Sequence, residues 1–496
     1  MRGLGPEPDS LDIHLAQGVA ALNVLRDIRE GIMTLSEAGE PVYGVAESVS
    51  LQAEGRLVVV HLQHNLSWSD GTPLRAVDFV HGWQRAVTPV TAAANAVLLD
   101  AVENAKAIRQ GTQPLESLGI HALDEYTLEI RLNRKVPWLS WLLAHPVSFP
   151  LAGAGGTSRD HRAGPFNGAY TLKSWTPNDR LVLQRNPYFH SSDSVSMKRV
   201  EYVPIPSPNT ELNRFRAGEL QLTETIPPAR YDWLQENYPN ELKVHPYLGT
   251  FFLGLNLRRQ PLSDNNSLRR ALLLAVDRDK LTALVLASGE KPAYSLVPPG
   301  IGAYQQQYPG GAGDKQSLRE QTARDLYRLA GFGEGNQLHL ELRINSSSTH
   351  RRMALAVAAM WKQTLGVVTR IVHEEWKVFV NNRNQAVITE VFRGGWIGDF
   401  PDPVTFLSLF SSNNVQNWSG YHSLRFDNLM ALAEAETDPG QRLQLLQNAE
   451  KQLLDDVPMI PLYYYVSRHL VDQRVNGYTA NTLDIHLSRY LDLEER

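Results

Sequence analysis

Along this chain, short apolar runs with strand-like alternation are interleaved with longer stretches of helical spacing. Leu57-Val58-Val59-Val60-His61-Leu62 is short and β-branched enough for a strand, and Ser69-Asp70-Gly71-Thr72-Pro73 beyond it reads as a turn. Ala76 to Ala86 then carries the period of an amphipathic helix. Residues 127–132, Thr-Leu-Glu-Ile-Arg-Leu, alternate with period two as a half-buried strand does. A further strand opens at Gly168-Ala169-Tyr170-Thr171-Leu172, after a glycine-rich stretch from Gly153 to Gly164. Helices are predicted over Ser317–Ala330, Met353–Thr364 and Gln441–Leu454, and an apolar strand over Val457–Val466. Ala271 to Ala287 is the most apolar run, and with Asp277-Arg278-Asp279-Lys280 inside it the run reads as one buried helix of a water-soluble protein. Strands alternating with helices predict an α/β fold. No repeat of solenoid period and no low-complexity tract interrupts the pattern.

Length changes this picture first. A chain of 496 residues exceeds what one core supports, so at least two lobes are expected, with the chain crossing between them more than once. Apolar residues at 43% and charged residues at 20% are a globular balance. The net charge of −5 is spread along the chain, which argues against a nucleic-acid partner and offers no polybasic patch for anionic lipid. The absence of cysteine removes disulfides, thiolate ligands and cysteine nucleophiles together, while leaving the compartment open. No apolar run reaches the roughly 18 residues of a membrane-spanning helix. The N-terminus, Met1-Arg2-Gly3-Leu4-Gly5-Pro6, lacks the apolar core of an export signal.

Candidate chemistry is sparse. The chain contains no G-x-S-x-G elbow, no H-E-x-x-H helix and no Walker loop. The clusters Gly153-Ala154-Gly155-Gly156 and Gly310-Gly311-Ala312-Gly313 do not lead from a strand into a helix, so they read as loops rather than phosphate cradles. His61 and His64 are spaced to face opposite sides of a strand, and His373-Glu374-Glu375 reads as a solvated strand end. The informative segment is Arg393-Gly394-Gly395-Trp396-Ile397-Gly398-Asp399-Phe400-Pro401-Asp402-Pro403. Two glycines beside a strand permit close approach by another backbone. Trp396 supplies an apolar wall, and Asp399 a carboxylate on the loop beyond it. An extended peptide needs such parts: a strand edge, an anion for its α-amine and a cation for its carboxylate. Spacing alone leaves the alternative equally open, with Asp399 capping a turn and Arg393 paired on the surface.

A longer set of motifs carries a family resemblance. Trp68-Ser69-Asp70-Gly71-Thr72-Pro73, followed by Ala76, Asp78-Phe79-Val80 and Trp83-Gln84-Arg85, resembles the most specific motif of the family-5 solute-binding proteins. Gly44-Val45-Ala46-Glu47-Ser48, Asn167-Gly168-Ala169-Tyr170, Arg270-Ala271-Leu272 with Asp277-Arg278, Glu375-Trp376-Lys377 and Pro461-Leu462-Tyr463-Tyr464-Tyr465-Val466 appear in the family's order. The similarity covers nearly the whole chain and is greatest to the oligopeptide- and murein-tripeptide-binding branches. It implies a periplasmic-binding-protein-like class II fold of cluster C, α/β in class. Two lobes would close about a hinge, with an extra third domain. Lobe I would comprise residues 1–38, 160–258 and 470–496, the extra domain II residues 39–159, and lobe III residues 259–469.

The resemblance also implies roles. Asp399 matches the aspartate that receives a peptide α-amine, and Arg393, Arg383 and His350 match cationic positions that meet ligand carboxylates. Gly395 and Ile397 would pair with the ligand backbone, while Trp376, Trp396, Trp418, Tyr465 and Asn345 would line side-chain pockets. Val19 and Gln17 would come from the N-terminal segment. Trp418, Gln17 and Tyr304 depart from the oligopeptide-binding pattern, which has a small polar residue, a glutamate and a lysine at those places. The implied protein is a periplasmic component of an ABC peptide importer, with a short peptide as ligand and a membrane permease as partner. No cofactor, metal or catalysis is expected, and a monomer suits the role. Family members carry an export signal, and Met1 falls within the family's first strand, so the natural start is expected upstream. Murein tripeptide, an opine or sugar phosphodiester, or a metal chelate remain alternative ligands on the same fold. From another class, a peptidase or amidase would need a carboxylate pair such as Asp399 and Asp402, although Asp402 lies between two prolines and suits a turn. A chaperone role through exposed apolar surface is a further alternative.

Overall fold

The computed structural model of this protein describes residues 1–16, 18–93, 95–153, 164–385 and 389–494. The chain forms two compact units: one of residues 1–227, 233–245 and 467–496, the other of residues 228–232 and 246–466. The second unit therefore takes up the chain earlier than residue 259. Two long strands, Leu242–Leu255 and Met459–Leu470, run from one unit into the other.

Two large hydrophobic cores stand out in the first unit. One gathers buried residues between Ile32 and Val147 around Trp68, Phe79 and Trp83. It lies against a four-stranded antiparallel sheet in the order Ala46–Gln52, Leu57–Leu62, Thr127–Arg131 and Ile120–Ala122. The other core packs the Val19–Ile28 helix against strands Tyr170–Thr176, Arg180–Arg185 and Arg199–Val203, to which Arg2–Gly3 adds in parallel. The conspicuous Trp68–Pro73 motif is structural here. The Trp68 indole N–H donates to Asp78 at 3.2 Å, and Asp70 accepts from both the amide and hydroxyl of Thr72. Gly71 takes φ +84°, a conformation a Cβ disfavours. The glycine cluster near Gly153 falls mostly on residues 154–163, outside the described residues.

The second unit is built on one six-stranded sheet. Its order is Lys291–Pro292, Met459–Leu470, Leu242–Leu255, Val391–Ile397, His339–Asn345 and Val368–Glu374. The Ser348–Leu365 helix buries Met353, Ala354, Val357 and Trp361, spaced three and four apart, in the core beside it.

The apolar run expected as one helix over 271–287 is instead broken. A helix spans Asn266–Leu274, and Asp277 then caps a new start by accepting from the Lys280 amide at 3.0 Å. The buried Arg278 donates to the carbonyls of Leu273, Val276 and Pro461, taking up acceptors that the interrupted helix frees. His373-Glu374-Glu375 is the expected strand end, with His373 and Glu375 exposed. Glu374 pairs with Arg343, and Glu375 caps the following helix by accepting from Lys377 and Val378.

Candidate functional site

Two strands that begin side by side and then part give the second unit its open edge. Val391–Ile397 pairs along its full length with Leu242–Leu255, from Leu255 opposite Val391 to Gly249 opposite Ile397. On its other side it pairs with His339–Asn345 at two positions only, Leu342 with Val391 and Arg343 with Phe392. Beyond them His339–Asn345 stays with Val368–Glu374, up to Asn345 opposite Glu374. Among the described residues, no strand pairs with residues 393–397 on that side. The free backbone groups there form an edge to which an extended chain can add.

Alternation along the strand sorts the segment. Arg393, Gly395 and Ile397 share one face, and Gly394 and Trp396 the other. The glycines do different work. A Cβ at Gly394 would lie 2.3 Å from the buried Phe252 ring, so Gly394 serves core packing. At Gly395 a Cβ would come 2.7 Å from the Tyr465 hydroxyl, on the face carrying Arg393. The Tyr465 side chain is in turn hydrogen-bonded with Arg393, and burial raises its phenol pKa. The Trp396 indole N–H donates to the Thr405 hydroxyl at 3.2 Å, fixing its ring.

Three basic side chains gather near the start of this strand. The Arg393 guanidinium lies 5.3 Å from the Phe251 ring and 5.4 Å from that of Trp376. Trp376 opens the Trp376–Asn384 helix, whose spacing puts Phe379 and Arg383 on the same side. Arg383 lies over Trp418 at 3.5 Å and over Phe379 at 5.5 Å. Burial, then the charge of Arg393, pulls Arg383 down to about 9, still high enough to stay charged at neutral pH. His350, on the first turn of Ser348–Leu365, bonds through Nδ1 to the Asn345 side-chain oxygen at 2.8 Å. The same two causes hold His350 down to about 4, so its imidazole is neutral at pH 7. No carboxylate of the described residues forms an ion pair with Arg383 or Arg393, and the Nε atoms of both are buried without a partner. Repulsion without a counter-ion makes this cluster receptive to an anion.

At the far end of the strand the sign reverses. The Gly398 amide bonds to the Leu248 carbonyl at 2.8 Å, and Asp399 follows on the loop. Asp399 is exposed at the surface, yet the protein around it pushes its carboxyl up to about 6, opposed only by its own backbone amide. Among the described residues no cation meets it. Among the described residues, neither the turn-capping Asp399 nor the surface-paired Arg393 of the alternative reading is found. Asp402 has a structural post instead, accepting from Arg442 at 2.8 and 2.9 Å and from the Val404 amide. The carboxylate pair a peptidase would need is therefore lacking at these two residues.

Other expected positions lie apart. Tyr304 is a correction: its ring is buried, and its hydroxyl donates to the buried Glu450 at 2.8 Å, a carboxylate also held by Ser295 and Val297. Val19 is the exposed first residue of its helix in the first unit, and Gln17 falls outside the described residues. Phe251 is a residue that the sequence did not single out. It sits opposite Gly395, stacks on Tyr463 at 4.7 Å and touches His350 at 5.2 Å, flooring the basic cluster. No helix among the described residues is long and apolar enough to cross a membrane.

These features have counterparts among known proteins. Residues 40–418 match the model of the bacterial extracellular solute-binding proteins, family 5. The chain is 37% identical over 488 residues to the periplasmic oligopeptide-binding protein OppA of Escherichia coli, spanning 97% of this chain and 89% of that protein. The solved structure of the murein tripeptide-binding protein MppA of Escherichia coli superposes with a TM-score of 0.87 at 32% identity, over 100% of this chain and 98% of that one. Haemophilus influenzae OppA in complex with the peptide RPPGFSPFR superposes at 0.84 with 31% identity, over 99% and 98% of the two chains. The fold is that of the periplasmic binding proteins, and the chain belongs to the bacterial extracellular solute-binding proteins of family 5.

Proposed function

We propose that this protein captures short peptides outside the cytoplasmic membrane and delivers them, unaltered, to the membrane permease of an ABC importer. The observation that carries the reading is the pairing of charge with strand edge. Asp399, a carboxylate that no cation of the described residues meets, lies at one end of an open edge, and the guanidinium of Arg393, with no carboxylate paired to it among those residues, lies toward the other. Along an extended backbone these two residues stand at most about 20 Å apart, the reach of roughly six residues. A peptide with its α-amine on Asp399 and its carboxylate toward Arg393, Arg383 and His350 would run antiparallel to Val391–Ile397. Gly395 and Ile397 would offer backbone groups, and Trp376, Trp396, Trp418, Tyr465 and Asn345 the walls. Backbone pairing and terminal charges recognise peptides largely without regard to sequence. The periplasmic names of the relatives support the location. The family's role as carriers supports a monomer without catalysis, and we extend the three-domain reading of the sequence on the same ground.

Mass spectrometry of ligand released from purified protein is expected to show peptides, and calorimetry a Kd on the order of micromolar or tighter. Release of only non-peptide solutes would overturn the proposal, as would cleavage of peptide during incubation with stoichiometric protein. A specific feature favours a second reading within the same class. Two guanidiniums exceed what one terminal carboxylate needs, so a peptide with an additional carboxylate, as in murein peptides, suits the cluster. Such a peptide should then bind more tightly than an uncharged one of equal length.

A further inference from the structure

The first unit contains a group of side chains that peptide capture leaves unused. His469 lies near the end of the Met459–Leu470 strand, while Asp484, at φ +58°, and His486 lie on the segment that follows the turn at Asn481. One ligand atom from each of the three falls within 4.8 Å of the others. The Asp484 Oδ1 atom lies 2.8 Å from His469 Nε2 and 3.1 Å from His486 Nε2. We propose that His469, Asp484 and His486 form a binding site for a divalent transition-metal ion such as Zn2+.

The state of His469 gives the arrangement its direction. Its Nδ1 lies 2.8 Å from the Thr223 carbonyl oxygen, which can only accept, so Nδ1 carries the hydrogen. Against the effect of burial, Asp484 beside it raises the pKa of the ring to about 9, so without a metal Nε2 carries a proton that it donates to the carboxylate, and a bound ion takes that proton's place. An imidazole oriented through its other nitrogen by a carbonyl is how metal-bound histidines are held, and a cation between Nε2 and the carboxylate would use the same two atoms that the proton now joins. Two imidazoles and one carboxylate are borderline ligands that suit Zn2+ and leave a position open.

The supports on both sides are rigid. Thr223 is tied to Leu470 by its amide and its hydroxyl, so the carbonyl that orients His469 is fixed. Asn481 accepts from the Ile485 amide and donates to its carbonyl, bracing the segment between Asp484 and His486. The His486 carbonyl accepts from Arg2 at 2.9 Å. Tyr478 stacks on His486 at 4.3 Å and has the rings of His469 and His245 near it at 6.1 and 6.2 Å. The Tyr478 hydroxyl and His245 Nε2 are both buried without a hydrogen-bond partner, a second sign of polar capacity left unused here. Asp484 keeps 17% of its side chain exposed, which leaves the ion a way in.

The test uses the full chain, freed of metal by chelator and titrated with Zn2+ and Co2+. Calorimetry should give one bound equivalent at micromolar concentrations, Co2+ should develop a visible absorption band, and the melting temperature should rise. His486→Ala and Asp484→Asn, their folding checked by circular dichroism, should each weaken Zn2+ by more than about tenfold and lose the thermal shift. Absence of saturable binding to the wild-type protein would overturn the site. So would Zn2+ affinity undiminished in both variants, which would place the ion elsewhere.

Discussion

A carboxylate such as Asp399, crowded by protein and met by no cation among the described residues, raises the free energy of the ligand-free protein whenever it is ionised. Its folded-state pKa of about 6 lies above the unfolded value of ~4, so the folded state favours the protonated form. The associated stability is complete below about pH 4 and is lost as the pH rises through about 6. Asp399→Asn should therefore melt at a higher temperature than the wild type at pH 8, with the difference closing toward pH 4. The same variant should lose about 2–5 kcal/mol of peptide affinity in calorimetry, because the ligand ammonium then has no anion. Wild-type affinity should itself decline as the pH falls below about 6, where the carboxylate takes up a proton. An Asn variant that melts lower at pH 8, or a flat pH profile of binding, would contradict this assignment. Sequence gave the residue type and its loop, but the missing counter-ion depends on side chains distant in the chain.

At the scale of elements, the adjacent glycines of one strand make separable demands. Gly394→Ala would drive a Cβ into the Phe252 ring, which is 1% exposed and cannot swing aside. Overpacking of that kind costs about 1–3 kcal/mol, so chemical denaturation should show the loss while peptide affinity is retained. Gly395→Ala meets only the Tyr465 hydroxyl, the far end of a side chain bonded to Arg393. It should leave stability nearly unchanged and weaken peptide binding by about tenfold, the worth of one hydrogen bond. The reverse outcome would assign the ligand edge to the wrong glycine. Strands and helices with a clear period were legible in the sequence. Thr127–Arg131 and Ala76–Val87 appear where alternation and amphipathicity put them, because a single buried face dictates both. The break after Leu274 was not, since it depends on Arg278 finding the Pro461 carbonyl, a partner 183 residues away. Tyr304 misled for a similar reason. Its polar end is claimed by Glu450, and nothing near it in sequence announces that bond.

For the whole molecule, the two proposed ligands belong to different units. The peptide groups from Asn345 to Tyr465 lie in the second unit, whereas Thr223, His245, His469, Asp484 and His486 all lie in the first. A ligand that binds only the folded state stabilises it by about 2.7 kcal/mol at one hundred times its Kd. That stabilisation is expressed first in the segments that must open to release it. Hydrogen exchange should therefore separate the two. Saturating peptide should slow exchange at the amides of residues 393–399 and at the start of the Ser348–Leu365 helix. Zn2+ should slow it around residues 221–225 and 467–487, with the Val391–Ile397 strand unaffected. Asp399→Asn should abolish the first pattern and keep the second, and His486→Ala the converse. Protection by Zn2+ at the Val391–Ile397 edge would mean that the ion uses the peptide site, and peptide protection confined to the first unit would place the ligand away from Asp399.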